Sequence, residues 1–475
     1  MSALNHQESV RAYVEDYECL LKGIDCFINL EKQVVQDGNI QAIRRHYDLH
    51  PEDKLCSIYR PGTRDTVMCR RSGIDAINRI ALRLVGEAPN GCDLSSSRIS
   101  EIISEQILQV AIDDVTDDEE LVTILKSYVV LSEAEHTGAC YHFPCILLHL
   151  GPAMARDLPP SPDEIVLGPV TFRRLPVFLR MVNSAIEKGE KHTDDKALEL
   201  FVKQGEKHGW VASVEIPCCA PDVSRRRAEE IVEAAINLLK IFIGLRHGKS
   251  MRLPHTAPSR NRETCVLTEV GSEIEWRWEG KRLEGALVAG DPLAGVPDIF
   301  RSYASQLLTL SLGGERPEAT NRLVDALKWF GDASFEDSGG VQIVKLIAAL
   351  ERLTTTERLS GNLTHVFCKR VAYLASVFGR DDLEKAYRDT RKAYQLRSDV
   401  MHGSRSQSDA QLRIDVGLVH DLTRAAIYAF LAVHDHLANV IKDSRLASIT
   451  EFYELKALPF ESRFDQLRAE FKYKK

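Results

Sequence analysis

The chain has no phosphate loop, no nucleophile elbow and no excess of positive charge, and each absence removes a class of function. No Gly-x-x-x-x-Gly-Lys-Ser/Thr segment occurs, and no Gly-x-Gly-x-x-Gly follows a strand-like run. Nothing therefore signals the backbone amides that cradle a nucleotide's phosphates, and a nucleotide hydrolase or dehydrogenase has no support. No Gly-x-Ser-x-Gly sets a serine on a strained strand-to-helix turn. The formal net charge is -8. Proteins that coat nucleic acid without selectivity are usually basic, so any RNA contact here must come from local patches, which favours an enzyme or a regulated binder. No uninterrupted apolar run reaches about 18 residues, so no membrane span is expected. The start, Met1-Ser2-Ala3-Leu4-Asn5-His6-Gln7-Glu8, is polar and soon acidic, unlike a secretory leader. Neither an internal repeat nor a low-complexity tract is seen.

What is present describes an ordinary globular protein. Hydrophobic residues make up 44% and charged residues 27%, enough apolar material for packed cores. At 475 residues the chain exceeds the size at which single cores stop growing, so two or three domains are expected. The 11 cysteines are scattered, and an odd number cannot all pair within one chain. A cytoplasmic location fits, with the cysteines mostly buried as small hydrophobes.

Periodicity divides the chain. Residues 1–290 read as a mixed α+β domain. Helical spacing appears over Ser9–Leu30, Ser97–Val110 and Ala228–Leu245. Alternation predicts strands at Glu164–Phe172, Trp210–Ile216, Cys265–Val270 and Glu273–Trp278, the last two joined by a Gly271-Ser272 turn. Residues 291–475 read as helices alone: Pro297–Leu312, Glu318–Phe330, Val341–Leu353, Asn362–Phe378, Leu383–Met401 and Leu418–Ile441. Pro297 suits the first turn of its helix. Short connections imply antiparallel neighbours in a bundle. The fold class is therefore α+β, a mixed α/β amino-terminal domain followed by an all-α bundle.

The most informative stretch closes the Leu383–Met401 helix. In Tyr394-Gln395-Leu396-Arg397-Ser398-Asp399-Val400-Met401-His402-Gly403, an arginine and a histidine stand five positions apart before a glycine. Arginine is a permanent cation that clamps phosphate. Histidine gives and takes protons near neutral pH. Together they are a minimal kit for cutting RNA without a metal. On an ideal helix five residues advance by about 140° and about 7.5 Å, so the two side chains do not share a face. A loosened last turn at Gly403, or a second subunit across a two-fold axis, would reconcile them.

Four ordered segments extend the pattern. They are Arg322-Leu323 through Ala326 and Trp329; Lys345 through Ala349-Leu350-Glu351; Lys369-Arg370-Val371-Ala372-Tyr373-Leu374; and the Tyr-x-x-Arg-Ser…His-Gly ending. In this order, over about a third of the chain, the carboxy-terminal part resembles the HEPN superfamily (higher eukaryotes and prokaryotes nucleotide-binding), and within it the ApeA-like branch. That resemblance implies a homodimeric, metal-independent endoribonuclease of bacterial antiviral defence or toxin systems. No cofactor and no metal are expected. RNA is the expected partner, together with a phage-derived trigger or a regulatory protein. Many active members place Asn, Asp or His directly after the arginine; this chain has Ser398 there, and its acid follows at Asp399.

Arg397, His402, Asp399 and Ser398 are the candidate catalytic residues. His402 is assigned as general base, or as acid toward the leaving oxygen. Arg397 stabilises charge building on the phosphate. Asp399 and Ser398, three and four residues before His402, lie near it on a helix; the first orients the imidazole and the second bonds a phosphate oxygen. Arg388, Arg391, Lys392 and Tyr394, just upstream, are the candidate RNA-binding set, with Tyr394 placed to stack a base. The patch is only mildly basic, with seven Lys or Arg against five Asp or Glu over residues 380–405. A solvated helix face is the plainer reading of it. His136, Cys140, His142 and Cys145 have zinc-ligand chemistry but no familiar zinc spacing, and Phe143–Leu148 reads as a buried strand. The basic, acid-free 246–262 stretch reads as a surface loop.

Overall fold

The computed structural model describes residues 3–37, 55–59, 66–112, 117–147, 162–188, 198–199, 201–203, 206, 209–244, 248, 251–253, 264–270, 273–279, 293–356, 363–378 and 382–472. The chain divides into two compact units. One comprises Met1–Ala139 with Ile216–Arg226; the other comprises Cys140–Glu215 with Arg227–Lys475. The all-helical bundle thus shares its unit with strands that the sequence reading assigned to the amino-terminal domain ending at 290.

Among the described residues the first unit is built on the helices α1 (Ala3–Asp37), α2 (Arg71–Glu87), α3 (Ser96–Ile112) and α4 (Asp118–Glu133). Tyr13, Tyr17 and Leu20 of α1 meet Ile77, Ile80 and Leu84 of α2 in one core, closed by Ile99 and Ile103 of α3 and Leu121 and Leu125 of α4. These recur at three- and four-residue spacing, the condition for one apolar stripe. Asp16, only 8% exposed, accepts from Arg79 at 2.7 Å and pairs with Arg83 at 3.0 Å. Strands β1 (Leu55–Tyr59) and β2 (Thr66–Arg70) form an antiparallel pair.

A four-stranded sheet has the order β3-β6-β5-β4, from β3 (Thr137–Cys145), β4 (Glu164–Leu167), β5 (Val170–Arg174) and β6 (Trp210–Cys219). The predicted single strand Glu164–Phe172 is instead a hairpin. Gly168-Pro169 reverses the chain, and Leu167 pairs with Val170. Gly168 has φ +57°, and a Cβ there would meet the Ser305 backbone at 2.9 Å; only glycine satisfies both demands. Ile165 and Leu167 of β4 and Val170 and Phe172 of β5 alternate inward. Strands β7 (Thr264–Val270) and β8 (Glu273–Glu279) pair antiparallel as expected; the predicted turn 271–272 lies outside the described residues. So do Leu148 and most of the basic 246–262 stretch.

The bundle runs through α6 (Pro221–Ile243, after α5, Leu175–Glu187), α7 (Asp298–Leu312), α8 (Glu318–Ala333), α9 (Gly339–Thr354), α10 (Leu363–Phe378), α11 (Leu383–Met401), α12 (Ala410–Asp435), α13 (Leu446–Ala457) and α14 (Glu461–Lys472). Pro297 is the N-cap of α7 rather than its first helical residue. Helix α12 is the axle: α7, α8, α9, α10 and α11 all pack on it. It is buried on several sides, so polar His420, Thr423 and His434 are enclosed beside Ile427 and Phe430. By length and composition alone, Ala410–Ile441 is apolar enough to cross a membrane, but 61% of its most apolar window is buried inside the protein, as in a core helix. The helix ends in a π-helical turn, His436–Ile441.

Two buried guanidinium groups collect the carbonyls left over at the end of α9. Arg322 donates to the carbonyls of Arg352 (2.8 Å) and Thr355 (2.9 Å); Arg370 donates to the carbonyl of Thr354 (2.7 Å). A cation at a helix C-terminus also opposes the helix dipole. Lys240 of α6 is enclosed and makes no salt bridge among the described residues. Its ammonium sits 4.1 Å over the Phe335 ring and 3.3 Å from Ser334 Oγ, and burial pushes its pKa down to about 7.

Candidate functional site

The site is assembled at the carboxy-terminal end of α11. Asp382 caps the other end, accepting from the Lys385 amide at 2.7 Å. Ala386, Tyr387, Thr390, Ala393, Leu396 and Val400 form the inward face. His402 is the C-cap residue and donates its amide to the Ser398 carbonyl at 2.9 Å. Gly403 follows with φ +73°, the left-handed conformation that ends helices and that glycine adopts without a Cβ clash. The Arg405 amide then donates to the Asp399 carbonyl at 3.1 Å.

The loop beyond is anchored on the start of α9. The Gln407 carbonyl accepts from Ser338 Oγ at 2.7 Å and from the Gly340 amide at 3.1 Å. Arg405 pairs with Asp409 at 2.8 Å and reaches Asp415 at 3.8 Å. Asp415, 6% exposed, lies on α12. The turn bearing His402 is thus held from both sides.

Arg397 and His402 part company within one chain. Arg397 points along the inward side, its guanidinium 5.9 Å from the Tyr394 ring centroid and 4.0 Å from Glu351 Oε1 on α9. Burial raises the Glu351 pKa, and the Arg397 charge opposes that rise. His402 is exposed, and its imidazole has no hydrogen-bond or ion-pair partner among the described residues. The separation of about 140° expected for an ideal helix agrees with this division, because the helix stays regular up to Met401.

The neighbouring candidates have other commitments. Asp399 accepts from Gln395 Nε2 at 2.7 Å rather than from His402. Ser398 is half-buried, and its hydroxyl makes no hydrogen bond among the described residues. Lys392 donates to Asp415 at 2.9 Å, and Arg388 pairs with Glu384 at 3.6 Å. The half-buried Arg391 lowers the pKa of the buried Cys368 thiol, against the stronger upward push of burial. Tyr394 packs against Phe367 with ring centroids 5.1 Å apart. Its ring is therefore part of the α10–α11 packing rather than an open stacking platform.

Sequence reading named Glu351 within a triplet but gave it no role. It also passed over Asp415 and Arg405. Glu351 had one signal, an acid inside an apolar helix. Asp415 had none, since its partners Lys392 and Arg405 lie outside its helix, and Arg405 had only the local acid Asp409 four residues on. The remaining signature residues serve the scaffold: Lys345 pairs with Glu336 at 2.7 Å and Lys369 with Glu461 at 2.6 Å. Of the four residues considered for zinc, His142 bonds Ser213 Oγ at 2.9 Å, and Cys145 is fully buried with its thiol pKa pushed up by burial. No family model, curated protein or solved structure matches this chain.

Proposed function

We propose that this chain is a metal-independent endoribonuclease of the HEPN type. It cleaves single-stranded RNA in antiviral defence, with the amino-terminal residues sensing a trigger or restraining the nuclease. The observation that carries this reading is the exposed, uncommitted imidazole of His402 at a braced helix end, one and a half turns from a half-buried guanidinium. The Arg405 amide bond to Asp399, and the Ser338 and Gly340 bonds to Gln407, fix the turn and the loop that follow it.

In the reaction the ribose 2′-oxygen bonds to the adjacent phosphorus while the bond from phosphorus to the 5′-oxygen breaks. His402 takes the 2′-hydroxyl proton, and a second imidazole supplies one to the leaving oxygen. Arg397 stabilises the phosphorane charge. The products are a 2′,3′-cyclic phosphate and a 5′-hydroxyl. Because Arg397 and His402 diverge within one chain, a homodimer with two α11 ends facing each other supplies a complete set.

The alternative is a HEPN scaffold that dimerises and binds RNA or nucleotide without chemistry. The Arg397–Glu351 pairing favours it, since a guanidinium held by a carboxylate is less available to phosphate. Purified protein incubated with single-stranded RNA in EDTA separates the two. The nuclease yields cyclic-phosphate ends, and Arg397→Ala or His402→Ala abolishes them while the dimer survives. RNA that shifts in a gel yet stays intact, or equal cleavage by both variants, rejects the nuclease.

A further inference from the structure

His365 is the third residue of α10 and is 6% exposed. Glu461 opens α14, and Asp465 follows one turn later on the same face. One donor atom from each of these three side chains lies within 4.8 Å of the other two. A second observation concerns the ring itself: Nδ1 of His365 is 2.8 Å from Oη of Tyr387, which is fully buried. A hydrogen bond on one imidazole nitrogen is how proteins fix the tautomer and ring plane of a metal-bound histidine. Lys369 donates to Oε2 of Glu461 at 2.6 Å. That bond fixes the carboxylate and offsets repulsion between the two acids.

We propose that His365, Glu461 and Asp465 form a binding site for a divalent transition-metal ion of the zinc class. One imidazole with two carboxylates suits such ions, whereas magnesium and calcium prefer all-oxygen surroundings. Donors around a tetrahedral ion with bonds of about 2.0–2.2 Å stand about 3.4 Å apart. Glu461 and Asp465 therefore close from within 4.8 Å by up to about 1.4 Å, which their half-buried and exposed positions permit. Water completes the coordination. The ion clasps the last helix to α10 across a long intervening chain, where a crosslink restricts the unfolded state most. The site stands whether or not the chain cleaves RNA.

The test uses the full chain, stripped with a chelator, dialysed, and titrated with zinc sulfate by calorimetry. A single equivalent binds, and the thermal midpoint rises. Asp465→Asn and Glu461→Gln each weaken binding by about tenfold or more and abolish the thermal rise, with far-UV circular dichroism unchanged. Cobalt in place of zinc gives ligand-field bands without a thiolate charge-transfer band, which separates this site from the exposed Cys92, Cys140 and Cys218. Absence of stoichiometric binding, undiminished affinity in both variants, or a thiolate band overturns the proposal.

Discussion

Replacing Lys240 by methionine tests how the second unit tolerates a buried amine. Unfolded, the ammonium keeps its proton to the ordinary 10.5; folded, burial lowers that to about 7, against the pull of Glu233 and Asp332 and with the push of Arg252. Between these values the unfolded chain binds more protons, so wild-type stability rises with pH through that window. Below pH 7 both states are protonated and the penalty is constant. Three and a half pH units at 1.36 kcal/mol each set an upper limit of about 5 kcal/mol. Lys240→Met keeps the bulk and removes the titration, at the loss of the Phe335 and Ser334 contacts. Urea unfolding at pH 6, 7, 8 and 9 should show the variant gaining most over wild type at pH 6–7, with the gap closing toward pH 9. Parallel stability curves across that range would refute the assignment of a neutral amine to the folded state.

Two further outcomes follow from described geometry. Gly403→Ala forces a Cβ into φ +73° with no atom within 4 Å to clash, so it should cost only backbone strain, about 1–2 kcal/mol, read as a lower urea midpoint, with Gly403→Asn losing less. His434 is enclosed, its pKa lowered by burial to about 4 from 6.5. The unfolded state therefore binds more protons between those values, and stability should fall as pH drops from 6.5 to 4, by at most about 3.4 kcal/mol; His434→Gln should flatten that limb of an acid titration followed by circular dichroism.

Much of the bundle was legible because its helices carry their stripes in the order of the chain. Leu383–Met401 matches α11 to the residue, since Ala386, Ala393, Leu396 and Val400 recur where a 3.6-residue period demands. Helix α12 was read too late, from Leu418, because it is buried on several sides and its polar Asp415 and His420 interrupt any single stripe. Helix α2 was missed: Gly73 and three arginines dilute its pattern. The β4–β5 reversal was overlooked although Gly-Pro is a strong turn signal, because apolar residues continue on both sides. In the site, the positions of Arg397 and His402 were legible but the partner of Arg397 was not. Glu351 lies on another helix, and no local spacing encodes a meeting across helices.

Five helices leaning on α12 leave the bundle few independent parts. Removing any one neighbour would uncover apolar surface on the shared axle, so the others lose support with it. Such an arrangement resists piecemeal loosening. Loss of packing by any one of these helices exposes the same shared core to water.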